Sequence, residues 1–216
     1  MTYTPPPDAP LAIVHADGAL LVADKPSGLL SVPGRGADKT DCLIARVHRD
    51  FPDALVVHRL DMSTSGLLLL ARSKAMQSHL SQMFRERQVE KRYIAVVAGL
   101  LREDAGEVEL PLVCDWPNRP RQKVDFTIGK HSLTRYCVIS RDIASATTRV
   151  MLTPVTGRSH QLRVHLAALG HAILGDDLYG DRMHERAERL LLHATELAFI
   201  HPSTATAVRF ASPPPF

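Results

Sequence analysis

Hydrophobic and polar residues alternate along this chain in short blocks, most of which have the length and composition of β-strands. Leu11–Ala16 and Leu20–Ala23 are two such blocks, and Asp17-Gly18 between them is typical of a hairpin turn. The continuous apolar run Leu67–Leu70 predicts a strand that is buried on both faces. Further strands are predicted at Leu55–Val57, Tyr93–Ala98, Glu107–Leu110, Thr134–Ser140, Thr148–Thr153, Glu196–Ile200 and Thr206–Phe210.

Three segments have helical spacing instead. After Ser73, which is placed to cap a helix start, Met76, Leu80 and Met83 recur at intervals of three and four. The segment from Thr40 to Arg49 is a second predicted helix. A third spans Ser159–Leu169, and Gly170 follows it in the position where a left-handed residue commonly ends a helix. Its apolar positions Leu162, Leu166 and Leu169 are expected to face the core.

Many strands with few helices, and no regular strand–helix–strand rhythm, indicate an α+β fold. We expect one catalytic domain over residues 11–212, with a central mixed and largely antiparallel sheet flanked by helices and loops. Residues 1–10 are expected to form an extended tail. The proline runs at 5–7 and 213–215 predict mobile ends.

Hydropathy, cysteine content and net charge limit the classes of protein to which this chain is expected to belong. No apolar run approaches the roughly 20 residues that span a bilayer, and the polar start lacks the pattern of a secretory signal. We therefore expect a cytoplasmic protein without membrane association. The three cysteines are scattered and predict no disulfide framework. The net charge of +3 permits nucleic-acid binding without requiring it. No heptad pattern appears, so a monomer is expected.

Asp61 is the first candidate for chemistry. It lies in a predicted loop between two apolar segments, with Arg59 just before it and Ser63, Thr64 and Ser65 just after. A carboxylate that emerges between buried strands is held rigidly, as a catalytic group must be. The alternative is that Asp61 caps the turn through its side chain, which aspartate often does.

A second polar cluster spans residues 157–165. On a helix His160 and Arg163 would share a face and could point into one cleft, close to the neighbouring Arg158. An arginine placed against a carboxylate lowers the pKa of the acid and keeps it ionised. The alternative is an amphipathic helix with a solvated polar face.

Basic residues cluster in two further places. Arg85, Arg87, Lys91 and Arg92 precede Tyr93, and the segment from Trp116 to Lys123 combines an aromatic ring and prolines with three cations, Arg119, Arg121 and Lys123. Such loops suit contacts with a phosphate backbone. Each cluster alone could equally be an ordinary solvated surface; their repetition favours RNA as the partner.

Metal and nucleotide sites are not predicted. His160 and His165 are five residues apart, not the four that place two ligands on one helical face. Gly34–Thr40 resembles a phosphate-binding loop, but Asp38 replaces the glycine before the lysine and would repel phosphate. We therefore expect neither a metal nor a nucleotide cofactor.

Four segments, taken together, resemble the RluA family of pseudouridine synthases. His58-Arg59-Leu60-Asp61 with the following Thr64–Ala71 is similar to the family's signature. Lys25–Leu29, Lys91–Gly99 and Gly157–His165 resemble three further motifs in the family's order. The resemblance covers nearly the whole chain, and it implies an RNA isomerase that converts uridine to pseudouridine without a cofactor.

The resemblance also implies roles for single residues. Asp61 matches the essential aspartate, which is proposed to attack C1′ of the ribose or C6 of the base, or to take a proton from C2′. Tyr93 matches a tyrosine that stacks on the target base, and Arg163 an arginine that forms a salt bridge with the aspartate. Arg59 matches an arginine implicated in displacing the base.

The expected RNA substrates are implied by the resemblance alone. The short length and the segments 31–35 and 114–120 are similar to compact members that lack an appended S4 domain and act on 23S ribosomal RNA and the tRNA anticodon loop. Two rivals stay open at this point: an inactive RNA-binding protein of the same fold, and a metal-dependent RNA hydrolase that uses the histidines.

Overall fold

A computed structural model describes residues 3–216 of the protein, which divide into two compact units. The first unit takes the described residues up to Lys91 together with Ala194–Pro215, and the second takes Arg92–His193 and Phe216. The assignment of residues 11–212 to one domain stays a prediction.

The regular elements of the described chain are strands, three α-helices and three short 3-10 helices. The strands are β1 Ala12–Ala16, β2 Leu20–Lys25, β3 Leu55–Val56, β4 Ser65–Ala71, β5 Glu90–Ala98, β6 Ala105–Glu109, β7 Leu112–Cys114, β8 Gln122–Val124, β9 Leu133–Asp142, β10 Thr147–Pro154, β11 Leu192–Ile200 and β12 Ala207–Ala211. The helices are α1 Leu43–Val47, α2 Lys74–Arg85 and α3 Gln161–Ala168. The predicted α+β class is confirmed.

The first unit is built around β4, whose seven residues are all buried as its unbroken apolar run predicts. β2 and β3 both pair antiparallel with β4, β1 pairs with β2, and β12 pairs with β11. Helix α2 is capped by Ser73, whose hydroxyl accepts a hydrogen bond from Met76 N at 3.1 Å. The helix inserts Leu80 and Met83 into the core formed by these strands.

The second unit contains the antiparallel strand order β5–β10–β9–β6 and a separate hairpin of β7 and β8. Helix α3 contributes Leu162 and Leu166 to the core beneath these strands. Leu169, which we expected in the same core, is 39% exposed. That expectation is wrong because α3 ends at Ala168, so Leu169 follows the last helical turn. Gly170 takes the predicted left-handed conformation, with φ 82°.

The start of the chain has no regular secondary structure over residues 3–11 and is joined by hydrogen bonds to α1 and to the segment before it. Arg46 of α1, only 4% exposed, donates hydrogen bonds to the carbonyl oxygens of Pro6 and Pro7 at 2.8 and 3.1 Å. The Tyr3 hydroxyl donates to Asp41 O at 2.9 Å. Residues 1 and 2 of the predicted tail lie outside the described residues.

Candidate active site

Asp61 lies in the loop that joins β3 to β4, and its side chain is half-buried. The chain re-enters the sheet through Gly66, whose φ of 110° is in the left-handed half of conformational space. A Cβ atom at this position would lie 2.3 Å from the carbonyl oxygen of Ala194. Only glycine therefore fits at this second position of β4, which explains the glycine that follows the Asp61 loop.

Three backbone carbonyls around Asp61 accept hydrogen bonds from the last residue of β2 and from the segment that follows it. Leu60 O accepts a hydrogen bond from Ser31 Oγ at 2.7 Å, and Ser63 O accepts one from Ser27 Oγ at 2.7 Å. Met62 O accepts from both Lys25 Nζ and Gly28 N, each at 2.9 Å. We call Lys25, Ser27, Gly28 and Ser31 the loop clamp. It fixes the backbone on both sides of the carboxylate.

Lys25 is the unexpected member of the loop clamp. Its side chain is fully buried, and its ammonium group donates to three carbonyl oxygens, those of Pro26, Leu29 and Met62, at 2.7–2.9 Å. A buried charge is costly unless hydrogen bonds replace its water shell, and here three carbonyls do so. Sequence reasoning quoted Lys25 only as the first residue of the motif Lys25–Leu29 and gave it no role of its own.

His58 fastens the same loop to β4 as a neutral ring. Its Nε2 atom accepts a hydrogen bond from Leu69 N at 2.9 Å, and the ring stacks on Phe84 with centroids 4.4 Å apart. Burial, followed by the nearby charge of Lys91, lowers the pKa of His58 to about 3. The histidine is thus an acceptor that holds β3 against β4, while its neighbour Arg59 is exposed.

Tyr93 lies on β5 in the second unit, paired with Leu152 of β10 and packed against the core of that unit. The pairing of β5 with β10 fixes the backbone of Tyr93, and the contact of its ring with the core suits a stacking surface.

Arg163 is almost fully buried in α3, with its guanidinium group bound by two carboxylates. Asp176 accepts two hydrogen bonds, from Nε at 2.8 Å and Nη2 at 2.6 Å, and Asp177 accepts one from Nη2 at 2.9 Å. Asp176 is buried and Asp177 is partly exposed. Sequence reasoning missed both, although an aspartate after Gly175 is an ordinary turn signal. The expected pairing of Arg163 with Asp61 stays a prediction.

The predicted RNA-binding residues of the second unit lie in three places. Arg119 stacks on the exposed ring of Trp116, with Cζ 4.6 Å from the centroid, and Lys123 lies on the neighbouring strand β8. Arg121 and His160 both contact Tyr179. Arg158 reaches the backbone oxygen of His131 at 3.4 Å. His160 does not share a helical face with Arg163 as expected, because it precedes α3 in a left-handed conformation.

Within residues 3–216, histidine, cysteine, aspartate and glutamate form no group of three or more that could hold a metal ion. None of the helices in that range is long and apolar enough to cross a membrane.

The sequence is similar to those of known RNA-modifying proteins over nearly its whole length. Residues 19–168 match the family described as RNA pseudouridylate synthase. Dual-specificity RNA pseudouridine synthase RluA of Pasteurella multocida (strain Pm70) is 52% identical over 217 residues, covering 100% of this chain and 99% of the relative. The protein of the same name from Escherichia coli (strain K12) is 48% identical, covering 99% and 98%.

Two solved structures of proteins named for the same family have a similar fold. Human RNA Pseudouridylate Synthase Domain Containing 1 is similar with a TM-score of 0.78 and 32% identity, covering 95% of this chain and 84% of the human chain. Human RNA Pseudouridylate Synthase Domain Containing 4 gives a TM-score of 0.75 at 26% identity, covering 94% and 88%. From the family match and these near full-length relatives, the chain belongs to the RNA pseudouridylate synthase family, within its RluA branch.

Proposed function

We propose that this RNA pseudouridine synthase isomerises uridines in both ribosomal RNA and tRNA, and that Asp61 is its catalytic carboxylate. The observation that carries the proposal is the loop clamp: three carbonyls around Asp61 are fixed by side chains and backbone of one segment. A loop whose backbone is held at three carbonyls suits a catalytic group, because such a group must be positioned against the reacting atom to within a fraction of an ångström. The dual substrate is supported by the names of relatives that are about half identical.

In the proposed reaction a uridine leaves the base stack and its base is held in the site. Extruding a base costs a few kcal/mol. Stacking on Tyr93 would offset about 1–3 kcal/mol of that cost. Arg59, exposed beside the Asp61 loop, would occupy the space that the base vacates.

Asp61 would then attack C1′ of the ribose or C6 of the base, or take the proton from C2′. Each route frees the uracil to rotate and rejoin the sugar through C5, and Tyr93 would assist the final loss of the C5 proton. A guanidinium group beside the carboxylate, the role proposed for Arg163, favours the charged form that all three routes need. The isomerisation transfers no electron or group to a second molecule, so we propose that it uses no cofactor.

Substrate binding would draw on the cations of the second unit. Arg119, Arg121, Lys123, Arg158 and His160 are proposed to contact the RNA, mainly through phosphates, with Trp116 offering an exposed aromatic surface. We further propose that the protein acts as a monomer in the cytoplasm, where its two RNA substrates occur.

The test is Asp61→Asn, assayed by tritium release from RNA that carries uridine tritiated at C5. We expect the variant to lose release while its RNA dissociation constant stays near that of wild type, because the change removes one charge and keeps the shape. Asp50→Asn, an exposed aspartate of the same unit, is the matched control and should stay active. Release by Asp61→Asn at the wild-type rate would contradict the proposal.

Two further arms address the rivals and the substrates. Full activity in EDTA with unchanged RNA length excludes a metal-dependent hydrolase. Pseudouridine maps of ribosomal RNA and tRNA, from cells with and without the gene, test the dual substrate; a protein that only binds RNA would leave both maps unchanged.

A further inference from the structure

Tyr179 is a buried tyrosine to which the proposed reaction gives no role. It is 8% exposed and follows the Asp176–Asp177 pair that binds Arg163. Its hydroxyl lies 2.7 Å from Gln122 N, which donates a hydrogen bond to it, and 2.7 Å from Nδ1 of His160. One phenolic oxygen therefore joins strand β8 to the residue that precedes α3.

The ring and backbone of Tyr179 are tied to Arg163. The Cζ atom of Arg163 lies 5.2 Å from the ring centroid, within the range of a cation–π contact. Tyr179 N donates at 2.9 Å to Oδ1 of Asp176, the same oxygen that accepts from Nη2 of Arg163. The tyrosine and the arginine thus share one buried carboxylate as their anchor.

Tyr179 and its neighbour Leu178 are also tied to the basic segment Arg119–Lys123. Gln122, whose backbone bonds the hydroxyl, lies between Arg121 and Lys123 in sequence. The guanidinium of Arg121 lies 5.8 Å from the Tyr179 ring and donates a hydrogen bond to the carbonyl oxygen of Leu178. Three contacts therefore dock the basic segment on the turn that carries Tyr179.

We infer that Tyr179 is a positioning residue that couples the basic segment to Arg163. RNA held by Arg119 and Lys123 would pull on a strand whose backbone is bonded to the Tyr179 hydroxyl, and Arg163 packs on the same ring. RNA binding then favours one arrangement of Arg163, and the ordered arginine in turn favours the RNA-binding arrangement of the segment. This inference rests on the proposed function, because it takes the basic segment as an RNA contact.

The first test separates the hydroxyl from the ring. Tyr179→Phe removes both hydroxyl contacts and keeps the ring beside Arg163, so we expect RNA affinity to fall about 3- to 10-fold with kcat within about twofold of wild type. Tyr179→Leu also removes the ring, and kcat should fall as well. Tyr136→Phe, a partly buried tyrosine of β9 in the same unit, is the control and should change neither quantity.

The second test is a double-mutant cycle on the RNA dissociation constant, with Tyr179→Phe and Lys123→Ala. If Tyr179 acts through the basic segment, the double variant should bind more tightly than the product of the two single effects predicts. Additive effects would overturn the coupling. So would wild-type kcat and affinity in Tyr179→Phe with only its melting temperature lowered, a result that stands even if Tyr179→Leu fails to fold. Failure of the proposed function is distinct, because wild type itself would then release no tritium.

Discussion

The loop of Asp61 and the side chain of Arg163 are immobilised by opposite means. In the first unit the loop clamp binds backbone carbonyls on both sides of the aspartate. In the second unit Asp176 and Asp177 bind the guanidinium group itself. A substitution in the clamp therefore displaces the loop without altering the chemistry of the carboxylate. A substitution at Asp176 alters the charge balance around the arginine directly.

The largest loss of stability is expected from a substitution that removes the buried negative charge beside Arg163. Asp176→Asn keeps an oxygen for the backbone N–H groups of Leu178 and Tyr179 but removes the negative charge, and breaking a buried pair costs about 3–5 kcal/mol of unfolding free energy. Urea unfolding measures it. Asp177→Asn, whose carboxylate is 39% exposed, should cost less than about 1 kcal/mol. Equal losses in the two variants would mean that burial does not set the difference.

The clamp should respond in activity as well as in stability. Lys25→Met removes the ammonium donor from the carbonyl oxygens of Pro26, Leu29 and Met62, of which Met62 O keeps its bond from Gly28 N, at about 2–3 kcal/mol of unfolding free energy. Displacement of the Asp61 loop should lower kcat by about 10- to 100-fold. RNA affinity should change little, since Lys25 is fully buried.

Lys74→Met is the control for that change, because Lys74 is exposed at the start of α2. It should keep wild-type stability and turnover. A Lys25→Met enzyme with normal kcat would show that the other clamp contacts suffice to hold the loop.

The stability of the protein at acid pH should depend on His58 of the first unit. The pKa of His58 is about 3 in the folded protein and returns to about 6.5 on unfolding, so the unfolded chain binds one more proton between these values. Protonation of His58 in the unfolded chain therefore leaves the free energy of unfolding almost unchanged above pH 6.5. Below that pH it lowers the free energy of unfolding by about 1.4 kcal/mol per pH unit. From pH 7 to pH 5 that amounts to about 2 kcal/mol.

His58→Gln should lack this component, since an amide oxygen can still accept from Leu69 N but does not titrate. Urea unfolding at pH 7, 6 and 5 would therefore show a shallower pH dependence than wild type, whereas His79→Gln, exposed on α2, should follow wild type. Parallel curves for His58→Gln and wild type would place the acid sensitivity in other groups.

The smallest effect is expected at the exposed cations of the second unit. Arg119→Ala or Lys123→Ala should weaken RNA binding a few-fold and lower the slope of log affinity against log salt by about 1 each. Arg182→Ala removes an exposed cation of the same unit that pairs with Glu185, and its slope should match wild type. Unchanged slopes in the first two variants would move the RNA path elsewhere.

Periodicity predicted the elements that are long or wholly apolar. β4 was predicted from its unbroken apolar run Leu67–Leu70, and α2 from apolar residues that recur at intervals of three and four between Met76 and Met83. The hairpin of β7 and β8 was missed because its strands are three residues each, too short for a period to emerge. Trp116–Asn118 between them, predicted as a loop, forms a 3-10 helix.

Sequence motifs pointed to the residues that are proposed to carry the chemistry, but not to the residues that support them. Asp61 is proposed from its motif, whereas Lys25, although it begins the motif Lys25–Leu29, has no neighbours in sequence that predict its burial. Its burial depends on three carbonyls, one of them 37 residues away, which no local pattern encodes. Asp176 was missed for the same reason, because its partner Arg163 is 13 residues earlier in another element.

The anchored amino-terminal segment has a practical consequence for anyone who modifies this protein. Shortening the chain past Asp8 would strip two carbonyl acceptors from the buried guanidinium of Arg46 and a carboxylate from Arg49. It would also remove the Tyr3 hydroxyl, which accepts a hydrogen bond from Leu30 N next to Ser31 of the clamp. Affinity tags and fusion partners are therefore best joined ahead of this segment, with its own residues retained.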